Sequence, residues 1–291
     1  MDPTLFILYF IVLVSLLVAS YTDLKTREVP DWLNYCVIAA GIGLRLLFSV
    51  YYWDYHFIIE GLVGLCLFVA VGLIMFYAGQ WGGGDSKMLM ALGAVLGVSF
   101  RLDTFIVSFF INLLVSGAIY GLLFSLYLAI KNKKAFRREA QAFVKKYSKY
   151  VHGSVLGLLV LTLVSYFTIH DLFLKFLTMA MLVFLLVLVM LWIFVKVVEK
   201  ACMLQLVNPR VLTEGDWVSK EVRYKGKVLA GPKDLGVSKQ QIKHLVKLYS
   251  QKKIRKVWLK IGIPFIPSFL IAFVITLMFG NVMSLVALYI I

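Results

Sequence analysis

Little in this sequence could dissolve it in water. Only 15% of its 291 residues are charged, while 62% are hydrophobic and the mean hydropathy is +0.90. Too few polar groups remain to cover a globule, which excludes a water-soluble enzyme or binding module and makes lipid the solvent. Cysteine is scarce as well. Cys36, Cys66 and Cys202 stand far apart, with no Cys-x-x-Cys and no Cys/His cluster, so neither a disulfide framework nor a zinc site is expected. No metal and no cofactor is implied. Acidic residues number 15 against 30 basic ones, a net charge of +15 that would suit nucleic acid if the cations shared one face.

They do not. The cations cluster in alternate loops between apolar runs, which is a topology signal, and nucleic acid is not expected as a partner. Runs free of Asp, Glu, Lys and Arg extend from Thr4 to Thr22, Gly61 to Gly84, Thr104 to Ile130, Phe176 to Val195 and Ile261 to Ile291. Each reaches the roughly 20 residues a helix needs to cross the hydrocarbon. Weaker candidates run from Trp32 to Val50, broken by Arg45, from Met88 to Phe100, and from Gly153 to Ile169. The fold class expected is an all-α polytopic membrane protein with about eight transmembrane helices and a small basic cytoplasmic α+β segment. The first run follows Met1-Asp2, without a basic n-region or small-residue cleavage pattern, and reads as a retained helix.

Segments 22–31, 80–87, 131–152 and 201–260 hold nearly every Lys and Arg, and the positive-inside rule makes that side cytoplasmic. Both termini then lie outside, in a multi-pass plasma-membrane protein. Tyr51, Tyr52, Trp53 and Trp258 suit membrane interfaces. The expected division is a membrane core over 1–130, a basic cytoplasmic loop over 131–152, a transmembrane hairpin over 153–197, a cytoplasmic segment over 198–260 and a last transmembrane helix over 261–291. Within the cytoplasmic segment, Val222 to Leu229 reads as a hairpin turning at Lys225-Gly226. Ser238 and Gln241 form a capping-box pattern before a helix with Ile242, Leu245, Val246 and Tyr249 on one side. Lys239, Lys243 and Lys247 lie opposite, a stripe for membrane lipid or for solvent.

Carboxylates beside apolar helices are costly and therefore candidates for function. Asp23 ends one long span and Asp85 begins another on the same expected side. Two carboxylates held close cannot both ionise cheaply, so one keeps a proton, and the pair can activate water while protonating a carbonyl. The plainer reading is that Asp85 caps the helix starting at Ser86 and Asp23 merely ends one. Gly82, Gly83 and Gly84 remove side chains before Asp85, letting a substrate backbone approach and permitting positive φ. Lys87 reaches headgroups or biases the pair.

The segment Gly82-Gly83-Gly84-Asp85-Ser86-Lys87, followed by a small-residue helix, resembles the Gly-x-Gly-Asp signature of type IV prepilin peptidases. Asp23, with Pro30 and Asp31-Trp32-Leu33-Asn34 after it, matches the family's other motif, and Pro264-Phe265-Ile266-Pro267 looks like its archaeal preflagellin branch. The resemblance covers about residues 15–130. It implies an aspartic endopeptidase with catalytic Asp23 and Asp85, an active-site loop of Gly82, Gly83 and Gly84, and Lys87 and Pro30 in electrostatic or positioning support. It also implies a six-helix peptidase core, to which 153–197 adds an inserted hairpin. The implied substrates and partners are pilin-like or archaellin-like precursors, cut behind a short basic leader at the cytoplasmic face. The paired cysteines of the bacterial zinc domain are missing, so N-methylation is not expected. Two other readings are a presenilin-type intramembrane protease and a proton-coupled transporter. The first would carry a Tyr-Asp pair and Pro-Ala-Leu, but Thr22 separates Tyr21 from Asp23 and no Pro-Ala-Leu occurs. The second would have inverted repeats, which the sequence does not display.

Overall fold

The computed structural model describes residues 3–98, 105–234 and 236–284. Met1-Asp2, the end of the span expected from Met88 to Phe100, the loop expected at Arg101–Asp103 and the last seven residues of the final span lie outside the described residues. The chain is a mostly helical polytopic membrane protein. Its first helices are α1 (Pro3–Thr26), α2 (Asp31–Tyr52), α3 (His56–Tyr77), α4 (Gly83–Leu96) and α5 (Phe105–Lys131). Then come α6 (Lys133–Thr168) and α7 (Leu172–Val198), and later α8 (Lys239–Ser250) and α9 (Ile266–Phe279). An apolar helix lies at each expected span. α1, α2, α3, α5 and α7 are long and apolar enough to cross a membrane, and α6 adds a sixth if its bent halves are counted as one span. α4 and α9 have 14 residues each, about 21 Å of helix.

One core joins α1 to α5 with α9. Leu8, Val12 and Leu16 of α1, Leu89 and Leu92 of α4, Phe109 and Leu113 of α5, and Phe269 and Phe273 of α9 interlock in it. The short α4 runs through its middle, with Met88, Leu89, Ala91, Leu92, Ala94 and Val95 wholly buried. Small residues permit this. A Cβ on Gly64 of α3 would collide with the carbonyl of Gly93 in α4, so only glycine lets the two backbones come so close. The apolar side chains left exposed on α1, α3 and α5 face lipid rather than water.

The basic stretch expected as a loop is helical instead. It forms the first half of α6, Lys133–Lys149, which bends by 64° into His152–Thr168. No Gly or Pro interrupts residues 133–149, and Lys, Arg, Ala, Gln and Glu favour helix. Its aromatic side packs on α7, with Phe136 against Phe194 and Phe143 against Trp192 at 5.8 and 6.2 Å between ring centroids. Along α7 only Val197 and Val198 are buried, so most of its apolar surface is left uncovered by the rest of the chain's described residues.

Between α7 and α9 lies a sheet-bearing unit made of β1 (Leu204–Val207), β2 (Trp217–Val218), β3 (Val222–Tyr224), β4 (Lys227–Ala230), α8 and β5 (Val257–Lys260). β5 is central, antiparallel to β1 on one side and β2 on the other. β3 and β4 form the expected hairpin, with positive φ at Lys225 and Gly226 as its two-residue turn demands. Ser238 and Gln241 close the capping box of α8. Leu245 and Ile242 of α8 pack on Val218, Val257 and Leu259, so this helix spends its apolar face on its own sheet and the lysine stripe faces outward. Trp258 lies in β5 beneath Lys220, whose Nζ is 4.4 Å from the ring centroid.

Candidate active site

Asp23 sits in the last turn of α1 and is 5% exposed. Asp85 occupies the first turn of α4, partly buried, and its Oδ2 accepts the Gly82 N–H at 3.0 Å. A carboxylate there also suits the positive end of the helix dipole; the helix starts at Gly83 and not at Ser86, so Asp85 is not its N-cap but reaches back from inside the first turn to the N-cap residue Gly82, a local role. It does not exhaust the residue, because Asp23 lies within electrostatic reach of Asp85. The chain next to each of them touches: a Cβ on Gly84 in α4 would sit 3.2 Å from Cβ of Val29, which lies in the short link between α1 and α2. Glycine at 84 thus lets the two carboxylate-bearing segments close on each other.

The glycines work through size and not through unusual backbone. Gly82 has φ of −71° and Gly83 and Gly84 are helical, contrary to the positive φ that the triplet permits. The left-handed residue is Gly79, three positions earlier. At Gly82 a Cβ would press on Asp85 Oδ2 at 3.3 Å, so its absence keeps the carboxylate unobstructed. Pro30 caps the start of α2, its carbonyl accepting the Leu33 N–H at 3.1 Å. Lys87 pairs with Asp31 at 2.6 Å, tying α4 to α2 at the exposed rim, and not with either carboxylate of the pair.

Several neighbours leave no mark in the motifs. The Ile266 N–H, first in α9, donates to Asp23 Oδ2 at 2.9 Å. Trp81, just before the glycines, packs on Phe265 and Phe269 with ring centroids 5.9 and 5.6 Å away. Tyr120 of α5 is within electrostatic range of Asp23. The side chains of Ser20, Asn34 and Ser86 are buried with no hydrogen-bond partner among the described residues, and Ser20 and Ser86 lie within one turn of the pair. The interior beside the carboxylates is therefore polar. Prolines at 264 and 267 hinted that a helix starts there. Nothing in the sequence told which acceptor its first N–H would find.

The sheet-bearing unit comes up to the same end of the core. A Cβ on Gly79 would lie 3.2 Å from the Trp217 ring, and the Arg27 guanidinium donates to the Gly262 carbonyl. Burial, together with the Glu28 carboxylate, holds the Asp216 carboxyl above the usual carboxylate range, although the Thr213 N–H opposes this. Among the described residues no group of three His, Cys, Asp or Glu could hold a metal ion.

The model of the type IV leader peptidase family matches residues 10–130, the stretch that carries both carboxylates and the glycine triplet. This segment is similar to the type IV leader peptidase family. Similar relatives include a preflagellin peptidase of Methanococcus maripaludis, 33% identical over 88 residues, which are 30% of this chain and 38% of that protein. Another, from Methanocaldococcus jannaschii, is 35% identical over 83 residues, 28% of this chain and 35% of that protein. The chain thus spans little more than a third of the length of the relatives it matches. No solved structure matches it. The hairpin, the sheet-bearing unit and α9 all lie beyond the matched stretch.

Proposed function

We propose that this chain is a membrane aspartic endopeptidase with Asp23 and Asp85 as its catalytic pair, cleaving the short basic leader of archaellin-like or pilin-like precursors. The observation that supports the reading is that two carboxylates from separate helices lie within electrostatic reach of each other at one end of the core, where Val29 packs against Gly84. The names of the relatives supply the substrate class. Such a pair hydrolyses a peptide without a covalent intermediate. The ionised carboxylate takes a proton from water, whose oxygen adds to the scissile carbonyl carbon while the protonated carboxyl donates to the carbonyl oxygen. Collapse of the tetrahedral species expels the amine, which takes the proton that the first carboxylate drew from water, while the second carboxylate recovers a proton from the hydroxyl that becomes the product carbonyl, so both aspartates return to their starting states.

We read the carboxylate end as the cytoplasmic face. Arg27, Lys131 at the end of α5, and the cation-rich sheet-bearing unit gather there, as the positive-inside rule requires. Lys87 and Pro30 support the site from its rim, through the bond to Asp31 and the start of α2.

The test is cleavage of an archaellin precursor by purified protein in detergent. Asp23→Asn and Asp85→Asn should each lower kcat by roughly 10³-fold or more, because neither carboxylate alone supplies both base and acid. Membrane insertion and yield should be unchanged. Turnover near that of the unaltered protein by either folded variant defeats the assignment.

A further inference from the structure

We infer that the link from β5 into α9, residues 261–266, is a positioning element of the catalytic site, holding Asp23 through the Ile266 N–H. This rests on the peptidase reading above. The link lies some 240 residues from Asp23 in sequence and outside the stretch that the family model matches.

Three contacts seat it. The Ile266 N–H to Asp23 Oδ2 bond is buried and 2.9 Å long, and Ile266 itself is fully buried. One turn beyond Asp23, the Arg27 guanidinium donates to the Gly262 carbonyl, so the link is held at the carboxylate and again just past the end of α1. The Phe265 ring fills the space over Gly117 of α5, where a Cβ would come within 2.6 Å of it, and packs on Trp81. That ring therefore also braces the loop that delivers Asp85. Upstream, the Ile261 N–H donates to the Met203 carbonyl at 2.8 Å, continuing the β1–β5 ladder up to the link. The sheet is thus the scaffold for a carboxylate at the end of the helical core.

The competing explanation is that Asp23 merely caps α9. The first N–H groups of a helix need acceptors, and no side chain of α9's own N-terminus provides one. Capping and catalytic positioning predict different losses. A cap contributes to stability, whereas a positioning bond fixes a carboxylate whose displacement by a fraction of an ångström lowers turnover.

The experiment replaces Ile266 in the full-length protein by its α-hydroxy acid. The backbone amide becomes an ester, which removes the N–H and keeps the side chain. Cleavage of an archaellin precursor is compared with that of a matched ester at Ser268, whose N–H donates to the Phe265 carbonyl at 3.0 Å in the same turn. The Ile266 ester should lose kcat by roughly ten- to hundredfold with KM within about twofold, while the Ser268 ester keeps kcat within about twofold. Equal losses from both esters, or full kcat from the Ile266 ester, would overturn the inference. The Asp23→Asn variant separates the two failures. If it cleaves, the peptidase reading falls; if it is dead while the Ile266 ester is fully active, only the positioning role falls.

Discussion

Arg45 should be the most expensive single cation to remove from this protein. It is 2% exposed inside α2, and its guanidinium donates to the carbonyls of Val95 at 2.9 Å, Leu96 at 2.5 Å and Phe57 at 2.9 Å. Two of these are among the last carbonyls of α4, which have no partner within their own helix. Glu60 adds an ion pair at 3.5 Å, but its side chain is 37% exposed. Each buried acceptor left without a donor costs about 1–3 kcal/mol, and three at the low end give about 3 kcal/mol for Arg45→Gln. Glu60→Gln loses only a partly exposed pair, below about 1 kcal/mol. With roughly 2–4 °C per kcal/mol for a chain of this size, Arg45→Gln should lower Tm in detergent by about 6–12 °C, and Glu60→Gln by about 4 °C or less. Tryptophan fluorescence during a thermal scan reads both. Equal shifts in the two variants would mean that the carbonyl bonds contribute nothing, and the account of Arg45 as the cap of α4 would fail.

Gly64→Ala forces a methyl group against the Gly93 carbonyl and to 2.9 Å from Gly97 Cα, so α4 must shift. A loss of about 1–3 kcal/mol in detergent unfolding is expected, and unchanged stability would show that α3 and α4 are not so close. Topology is checked with single cysteines on a background lacking Cys36, Cys66 and Cys202. Positions Tyr147 and Lys225 should react with an impermeant reagent from the cytoplasm, and Asp54 and His170 from outside; reversed protection would move the carboxylate pair to the opposite face.

Local signals carried far in this chain. Apolar runs announced every helix of the core, because a segment in lipid must satisfy its backbone internally and be apolar over a fixed length. Lys225-Gly226 and Ser238 with Gln241 specified a turn and a cap from adjacent residues alone. Asp23 and Asp85 stood out because charge beside hydrocarbon is costly enough to need a reason. The helical course of 133–149 was legible in its composition, yet the density of cations suggested a solvated loop. α8 was legible only in part. Its two faces are plain in the sequence, but whether the apolar one meets lipid or a sheet depends on β2 and β5, which assemble from distant segments.

What the sequence determined by itself is the set of pieces: the membrane solvent, the spans, the charge bias and two carboxylates at the ends of helices. Only the tertiary structure decided which pieces meet. Arg45, which reads as an interruption of a span, becomes the cap of another helix, and Ile266, an ordinary apolar residue, offers its backbone N–H to Asp23. The physical reason is common to both cases. A backbone carbonyl or N–H is the same in every residue, so the identity of its partner leaves no trace in the side-chain pattern until packing brings the two together.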